Sequence, residues 1–487
     1  MAEEHDAGLA KRLAISASAK AGRGATADFH AAFAGLAEAM PIQVDRIPFA
    51  ELAGWAFHPG TGNLVHDTGR FFTVESIEVR IPDAVVPGWS QPIINQPEVG
   101  ILGILVKEFG GVLHCLMQAK AEPGNCNGVQ LSPTVQATHS NYTRVHGGRR
   151  VPYLEYFLDA DAHQVVADVL QSEQGSWFYR KRNRNMVIEV TGPVEVLDGF
   201  CWLTIGQLHQ LLGQDNLLNM DSRTVLSCLP FTGEALESVF AADTEDLRAA
   251  AIRSYHELSP SRHSTREVLS WITAARSRGD VRTRRIPLAE VTGWTRDATA
   301  ITHDSGQFFR IIAVDVQAGS RERTSWTQPM LEPVEVGVVA FLVKSIAGVL
   351  HVLVNACIEP GYLDVVELAP TVQCCPGNYA HLAPEARPPF LDAVLDTPPE
   401  RILFDTVLSE EGGRFFAARN RYLVVEADDD EHEPPPPDFR WLTLHQLVGL
   451  LRHSHYVNVQ ARSLIACLHG LSARHSAVVQ PANGGRR

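Results

Sequence analysis

The chain repeats itself, and this constrains its fold more than any other feature. Arg46-Ile47-Pro48 with Gly54-Trp55 returns as Arg285-Ile286-Pro287 with Gly293-Trp294, and His66-Asp67-Thr68-Gly69 returns as His303-Asp304-Ser305-Gly306. Residues 98–142 match residues 335–379 without a gap, and 23 of the 45 are identical. Ser172-Glu173 and Gly175 recur as Ser409-Glu410 and Gly412, and Trp202-Leu203-Thr204 recurs as Trp441-Leu442-Thr443. Two copies of this length, each large enough for a core of its own, make a tandem duplication rather than a solenoid. The predicted layout is a flexible N-terminus (1–26), a first repeat (27–231), a helical linker (232–262), a second repeat (263–477) and a flexible C-terminus (478–487).

Within a unit, residues 99–106 and 111–117 are short apolar runs on either side of Phe109-Gly110, which reads as a hairpin. Leucines at helical spacing follow Thr204 and Thr443, two residues able to cap a helix. Residues 27–40 read as an amphipathic helix, and Ser264-Thr265-Arg266-Glu267 carries a capping-box pattern. Each unit is therefore expected to be α+β, a mixed and mostly antiparallel sheet with helices at its margins.

Composition narrows the function. Of 487 residues, 45% are hydrophobic and 20% charged, the balance of a folded chain. A net charge of -14 without a long basic tract argues against a nucleic-acid partner. The eight cysteines form no CxxC pair, so neither a zinc knuckle nor a disulfide framework is expected. The acidic start Met-Ala-Glu-Glu-His-Asp and the lack of any long apolar run point to a cytoplasmic protein with no membrane partner. The phosphate-binding glycine motifs, HExxH and GxSxG are missing, so neither a nicotinamide cofactor nor a catalytic metal is expected.

Two polar constellations stand out. Residues 114–146 hold His114, Gln118, Lys120, Glu122, Asn125, Gln130, Gln136, His139, Asn141, Tyr142, Arg144 and His146 beside apolar strands. Arg180-Lys181-Arg182-Asn183-Arg184-Asn185 is the most basic spot in an acidic chain and suits a pyrophosphate, although Arg stems covering apolar surface would look the same.

Several of these blocks resemble the NDP-hexose 2,3-dehydratases. They are Trp89-Ser90-Gln91-Pro92, Gln118-Ala119-Lys120-Ala121-Glu122-Pro123-Gly124-Asn125, Ser132-Pro133-Thr134-Val135-Gln136, Asn141-Tyr142-Thr143-Arg144, Ser172-Glu173-Gln174-Gly175-Ser176-Trp177-Phe178 and Arg182-Asn183-Arg184-Asn185-Met186. The resemblance implies a Nudix-like fold for each half, a homodimer, no cofactor, and dTDP-4-keto-6-deoxyglucose as substrate. A pathway 3-ketoreductase would take up the unstable product. The Nudix box is missing, so metal-driven pyrophosphatase chemistry is not implied. Two rivals remain, a non-catalytic nucleotide-sugar sensor and a divergent Nudix hydrolase.

The implied elimination needs a base at C3, a donor to the C4 oxygen and an acid for the C2 hydroxyl. Lys120, Glu122, His139, Tyr142 and His146 are the catalytic candidates. Trp55, Gln136, Asn141, Arg144, Tyr153, Trp177, Arg180, Lys181, Arg182, Asn183, Arg184, Arg419 and Arg421 are the candidates for holding the nucleotide sugar. Lys120 becomes Cys357 in the second copy, His139 becomes Pro376, and Arg180 and Lys181 become Ala417 and Ala418. The first half is thus expected to be active and the second to keep a remnant nucleotide site.

Overall fold

In a computed structural model, residues 2–22, 26–82, 86–138, 150–159, 165–240, 247–278, 281–319, 324–380, 382, 386–428 and 434–472 are described. The apolar runs form the hairpin Gly100–Phe109 and Val112–Ala121, antiparallel from Leu105↔Leu116 to Phe109↔Val112. Gly110 and Gly111 close it with φ of 59° and 80°, the positive values that a two-residue turn compatible with strand twist requires. This hairpin is the centre of a seven-stranded sheet. Arg182–Glu189 runs parallel to Gly100–Phe109, and Val165–Ser172 lies beyond it, while Phe200–Thr204 and Val129–Ser132 pair with Val112–Ala121. The second half repeats this sheet around Gly337–Ile346 and Val349–Ile358. The result is a mixed α+β fold in two repeated halves.

Capping behaves as the sequence predicts. Thr204 accepts from Gln207 N at 3.1 Å while the Gln207 side chain accepts from Thr204 N, starting the helix Ile205–Leu211, and Thr443 does the same for Leu444–Leu451. Ser264 and Glu267 form the reciprocal pair that opens Thr265–Arg278.

Three expectations need correction. The opening residues, expected to fray, form the helix Ala2–Ser18, whose Leu13, Ala14 and Ala17 are buried. Ser16 anchors it by donating to Leu113 O at 2.6 Å and accepting from Ile205 N at 3.0 Å. Ser254, at the end of the helix Leu247–Ser254, repeats both bonds with Leu350 O and Leu444 N. The supposed linker therefore holds the second unit's opening helix, and each unit begins earlier than its sequence match.

Each half keeps a core of its own, around Leu116 and Phe157 in the first and Leu353 and Trp441 in the second, but the largest core is shared. One hydrophobic cluster runs from Leu13 and Leu208 through Tyr255 to Phe341, Leu447 and Leu464. Across it two fully buried arginines reach into the opposite half. Arg223 donates to Ser409 O and Arg462 to Ser172 O, both at 2.6 Å.

Finally, the two smaller sheets exchange their first strands. Ile42–Ile47 pairs with Phe309–Ala318 of the second half, and Arg282–Ile286 pairs with Thr73–Arg80 of the first. The repeat boundary in sequence is therefore not a boundary in space. Among the described residues no helix is long and apolar enough to cross a membrane.

Candidate active site

The basic run divides into two groups, by strand alternation from Arg182 onward and by the turn before it at Arg180 and Lys181. Lys181, Asn183 and Asn185 are buried. Their neighbours face the other way: Arg180 is exposed with its guanidinium over Tyr179, and Arg184 pairs with Asp168 at 2.6 Å. Arg182 shares the face of Arg184, opposite Ser172 on the adjoining strand. In the second half Arg421 pairs with Asp405, and exposed Arg419 lies beside Cys126. What reads as one cationic patch is divided by the sheet.

The inward group meets the ends of neighbouring strands at a polar cavity of about 120 Å³. Lys120, Glu122, Gln136, Glu173, Lys181, Asn183 and Asp221 line it from the first half, and Glu411, Gly413 and Arg414 line it from the second. Lys120 Nζ lies 3.6 Å from Glu122 Oε1 and donates to Gln136 O at 3.2 Å. The Gln136 side chain donates to Glu122 Oε1 at 2.9 Å and accepts from Asn219 Nδ2 at 3.0 Å. Asn183 donates to Glu173 at 2.6 Å and accepts from Gly100 N, fixing the cavity floor.

Crowding and burial shape the charges here. Burial, reinforced by neighbouring carboxylates, raises the Asp221 carboxyl far above its usual range, and burial raises that of Glu173. Burial outweighs Arg414 and pushes Glu411 up to about 7. Burial also lowers the Lys181 ammonium to about 8 against the pull of Glu173. Carboxyls that hold their protons beside a weakened ammonium give this cavity groups able to exchange protons near neutral pH. A larger hollow of about 580 Å³ lies between Thr265–Arg278 and the prolines near 435, but among the described residues its only carboxylate is Glu267.

Other candidates sit elsewhere. Trp55 is buried and donates to Thr327 O of the second half at 3.1 Å. Trp177 packs edge-on against Phe415, and Tyr153 bonds Glu195 O and Leu197 N. His139, Asn141, Tyr142, Arg144 and His146 lie outside the described residues. Sequence reasoning missed Asp221, Glu411 and Arg414. A signal existed: Glu411 and Arg414 stand where the first copy has neutral Gln174 and Trp177.

Comparison with known proteins decides the family. The family profile described as NDP-hexose 2,3-dehydratase matches residues 26–229 and again 265–468. This chain belongs to that family. A dTDP-4-dehydro-6-deoxy-alpha-D-glucopyranose 2,3-dehydratase of Saccharopolyspora spinosa is 54% identical over 92% of both chains. Enzymes of the same name from Amycolatopsis orientalis and Streptomyces violaceoruber are 52% and 49% identical, covering 97% and 92% of this chain and 96% and 97% of their own lengths.

In this member of the family the halves have diverged at the cavity. The scaffold is kept: Gln373 donates to Glu359 at 2.6 Å, Asn458 to Gln373 at 2.7 Å and Asn420 to Glu410 at 2.7 Å, as their first-half counterparts do. Five of the charges are not. Lys120, Lys181, Asp221, Glu411 and Arg414 correspond to Cys357, Ala418, Gln460, Gln174 and Trp177.

Proposed function

We propose that this chain removes the C3 proton and the C2 hydroxyl of dTDP-4-keto-6-deoxyglucose as water, giving a dTDP-3,4-diketo-2,6-dideoxyhexose. The names of three close relatives support the substrate. The observation that carries the chemistry is Lys120 beside Glu122 in a cavity rich in carboxyls. The 4-keto group acidifies the C3 proton, which Glu122 removes. Lys120 donates to the C4 oxygen as the enolate forms. The enolate electrons then make the C2=C3 bond while the C2–O bond breaks, and the resulting C3 enol becomes a ketone as a proton returns to C2. Donor and base each contribute on the order of a hundredfold or more. The steps involve no net redox change, so neither a redox cofactor nor PLP enters.

In this reading the first half is the catalytic one and the second keeps a remnant nucleotide site. Lys181 and Arg414 are the first candidates for the pyrophosphate, ahead of the outward Arg180, Arg182 and Arg184. His139, Tyr142 and His146 remain proposed participants, and Asn141 and Arg144 proposed nucleotide contacts. The reading includes a Nudix-like origin for the unit, supported by its mixed sheet flanked by helices, together with a homodimer, a cytosolic setting and a 3-ketoreductase that consumes the unstable diketone.

The test is NMR of the protein with this substrate and EDTA in D2O, with and without a 3-ketoreductase and NADPH. A 2-deoxy sugar that accumulates only with the reductase, and is lost in Lys120→Ala, is the expected result. Substrate that binds but survives unchanged favours a sensor, and magnesium-dependent release of dTMP favours a hydrolase.

A further inference from the structure

We propose that Glu411, carried by the second half, is the acid that protonates the departing C2 hydroxyl in the first half's cavity; the proposal rests on the dehydratase reading. Glu411 follows the strand Ile402–Ser409, in a loop that docks on the first half. Gly124 N donates to Gly412 O at 2.7 Å, and Ala417 N donates to Gly124 O at 2.9 Å. This clamp places the Glu411 side chain on the wall of the cavity that holds Lys120 and Glu122.

Its two oxygens differ. Oε1 accepts from Gly413 N at 3.0 Å, whereas Oε2 is enclosed and has no hydrogen-bond partner among the described residues. An enclosed carboxyl oxygen left without a donor is costly as an anion, but it is well placed when it carries its own proton. Glu122 and Glu173 oppose ionisation of Glu411, Arg414 favours it, and burial holds the group near neutrality at about 7, the range in which a general acid works best.

The pseudo-symmetric position supplies an independent argument. There Gln174 stands in the same backbone clamp, formed by Gly361 with Gly175 and Arg180, and its amide donates to Glu410 at 2.8 Å. A glutamine fits that loop and cannot deliver a proton. The acid is present only on the loop that serves the cavity containing Lys120. In the step itself, the Glu411 O–H bond breaks as its proton joins the C2 oxygen. The C2–O pair leaves with that oxygen as water, the C2=C3 bond forms from the enolate, and Glu411 is left as a carboxylate. The proton taken from C3 balances the one delivered.

Glu411→Gln, which copies the first half's own residue, separates this role from a structural one. With the natural substrate its kcat is expected to fall at least about 100-fold. With the 2-deoxy-2-fluoro analogue, whose leaving group departs as fluoride and needs no proton, elimination is expected to continue at the wild-type rate. Exchange of the C3 proton with D2O and affinity for dTDP are expected to be unchanged, and Glu411→Asp to recover part of the lost water elimination. Equal losses with both substrates overturn the proposal, because a misplaced loop would slow both. Undiminished water loss overturns it too, as does a hydroxyl-specific defect in Asp221→Asn that Glu411→Gln lacks. Wild-type protein that leaves the natural substrate untouched overturns the dehydratase reading itself, a result distinguishable from every other.

Discussion

At the scale of single residues, burial of charge decides much of this protein's behaviour. Glu367 is fully buried, accepts from Ser172 Oγ at 2.5 Å, and has its carboxyl pushed up to about 7 by burial. Below the unfolded value near 4.5, both states hold the proton and the folded protein pays no penalty for this group. As pH rises toward 7, the unfolded chain loses its proton first and stability declines, by about 3 kcal/mol in all. Glu367→Gln is therefore expected to raise the thermal midpoint at pH 8 and to change it little at pH 5, which melts across that range will show. The first half offers the precedent, since Gln130 stands at the equivalent place and accepts from Ser409 Oγ at 2.7 Å. At the cavity the sequence revealed Lys120, Glu122 and Gln136, because they fall in one dense polar block next to a predicted strand. It concealed Asp221 and Glu411, which lie far from that block along the chain and are brought near it only by the tertiary fold.

At the scale of elements, the reciprocal docking of short loops links packing to catalysis. Gly361 N donates to Gly175 O, and Arg180 N to Gly361 O, repeating the clamp at Gly124 with the halves exchanged. A Cβ at Gly124 would overlap the carbonyl oxygen of Phe415, and one at Gly361 that of Phe178, so neither site admits alanine without moving backbone. Gly124→Ala and Gly361→Ala are each expected to cost roughly 1–3 kcal/mol in urea denaturation, the usual range for overpacking. Their activities are expected to diverge: kcat should fall sharply only in Gly124→Ala, because the loop clamped on Gly124 carries Glu411 and Arg414. Helix starts at Thr204, Ser264 and Thr443 and the hairpin at Gly110 were legible because capping and turn chemistry act over three or four residues. The Glu-Pro-Gly blocks were visible as repeats, yet their purpose was not, because each glycine is required by a backbone in the other copy. The basic run misled for a related reason: adjacent polar side chains at the start of a strand do not all face one way.

At the scale of the whole molecule, a shared core and exchanged strands mean that neither half is complete. Residues 1–262 expressed alone would expose the surface that Phe341, Leu447 and Leu464 cover, and would lack both the strand Arg282–Ile286 and Glu411. Either half alone is expected to be insoluble or unfolded by circular dichroism. Co-expressed halves are expected to copurify and to regain dehydration, and two stable, independently folded halves would contradict the shared core. Strand exchange about a twofold relation is the arrangement of a symmetric dimer of one ancestral unit, and here a single polypeptide contains both partners. In such a dimer every mutation strikes both cavities at once, so an acid placed for one is imposed on the other. Joining the partners end to end lifted that constraint. Loop and pocket could then change as a matched pair on one side while the opposite side drifted toward neutrality, and specialisation required no second gene.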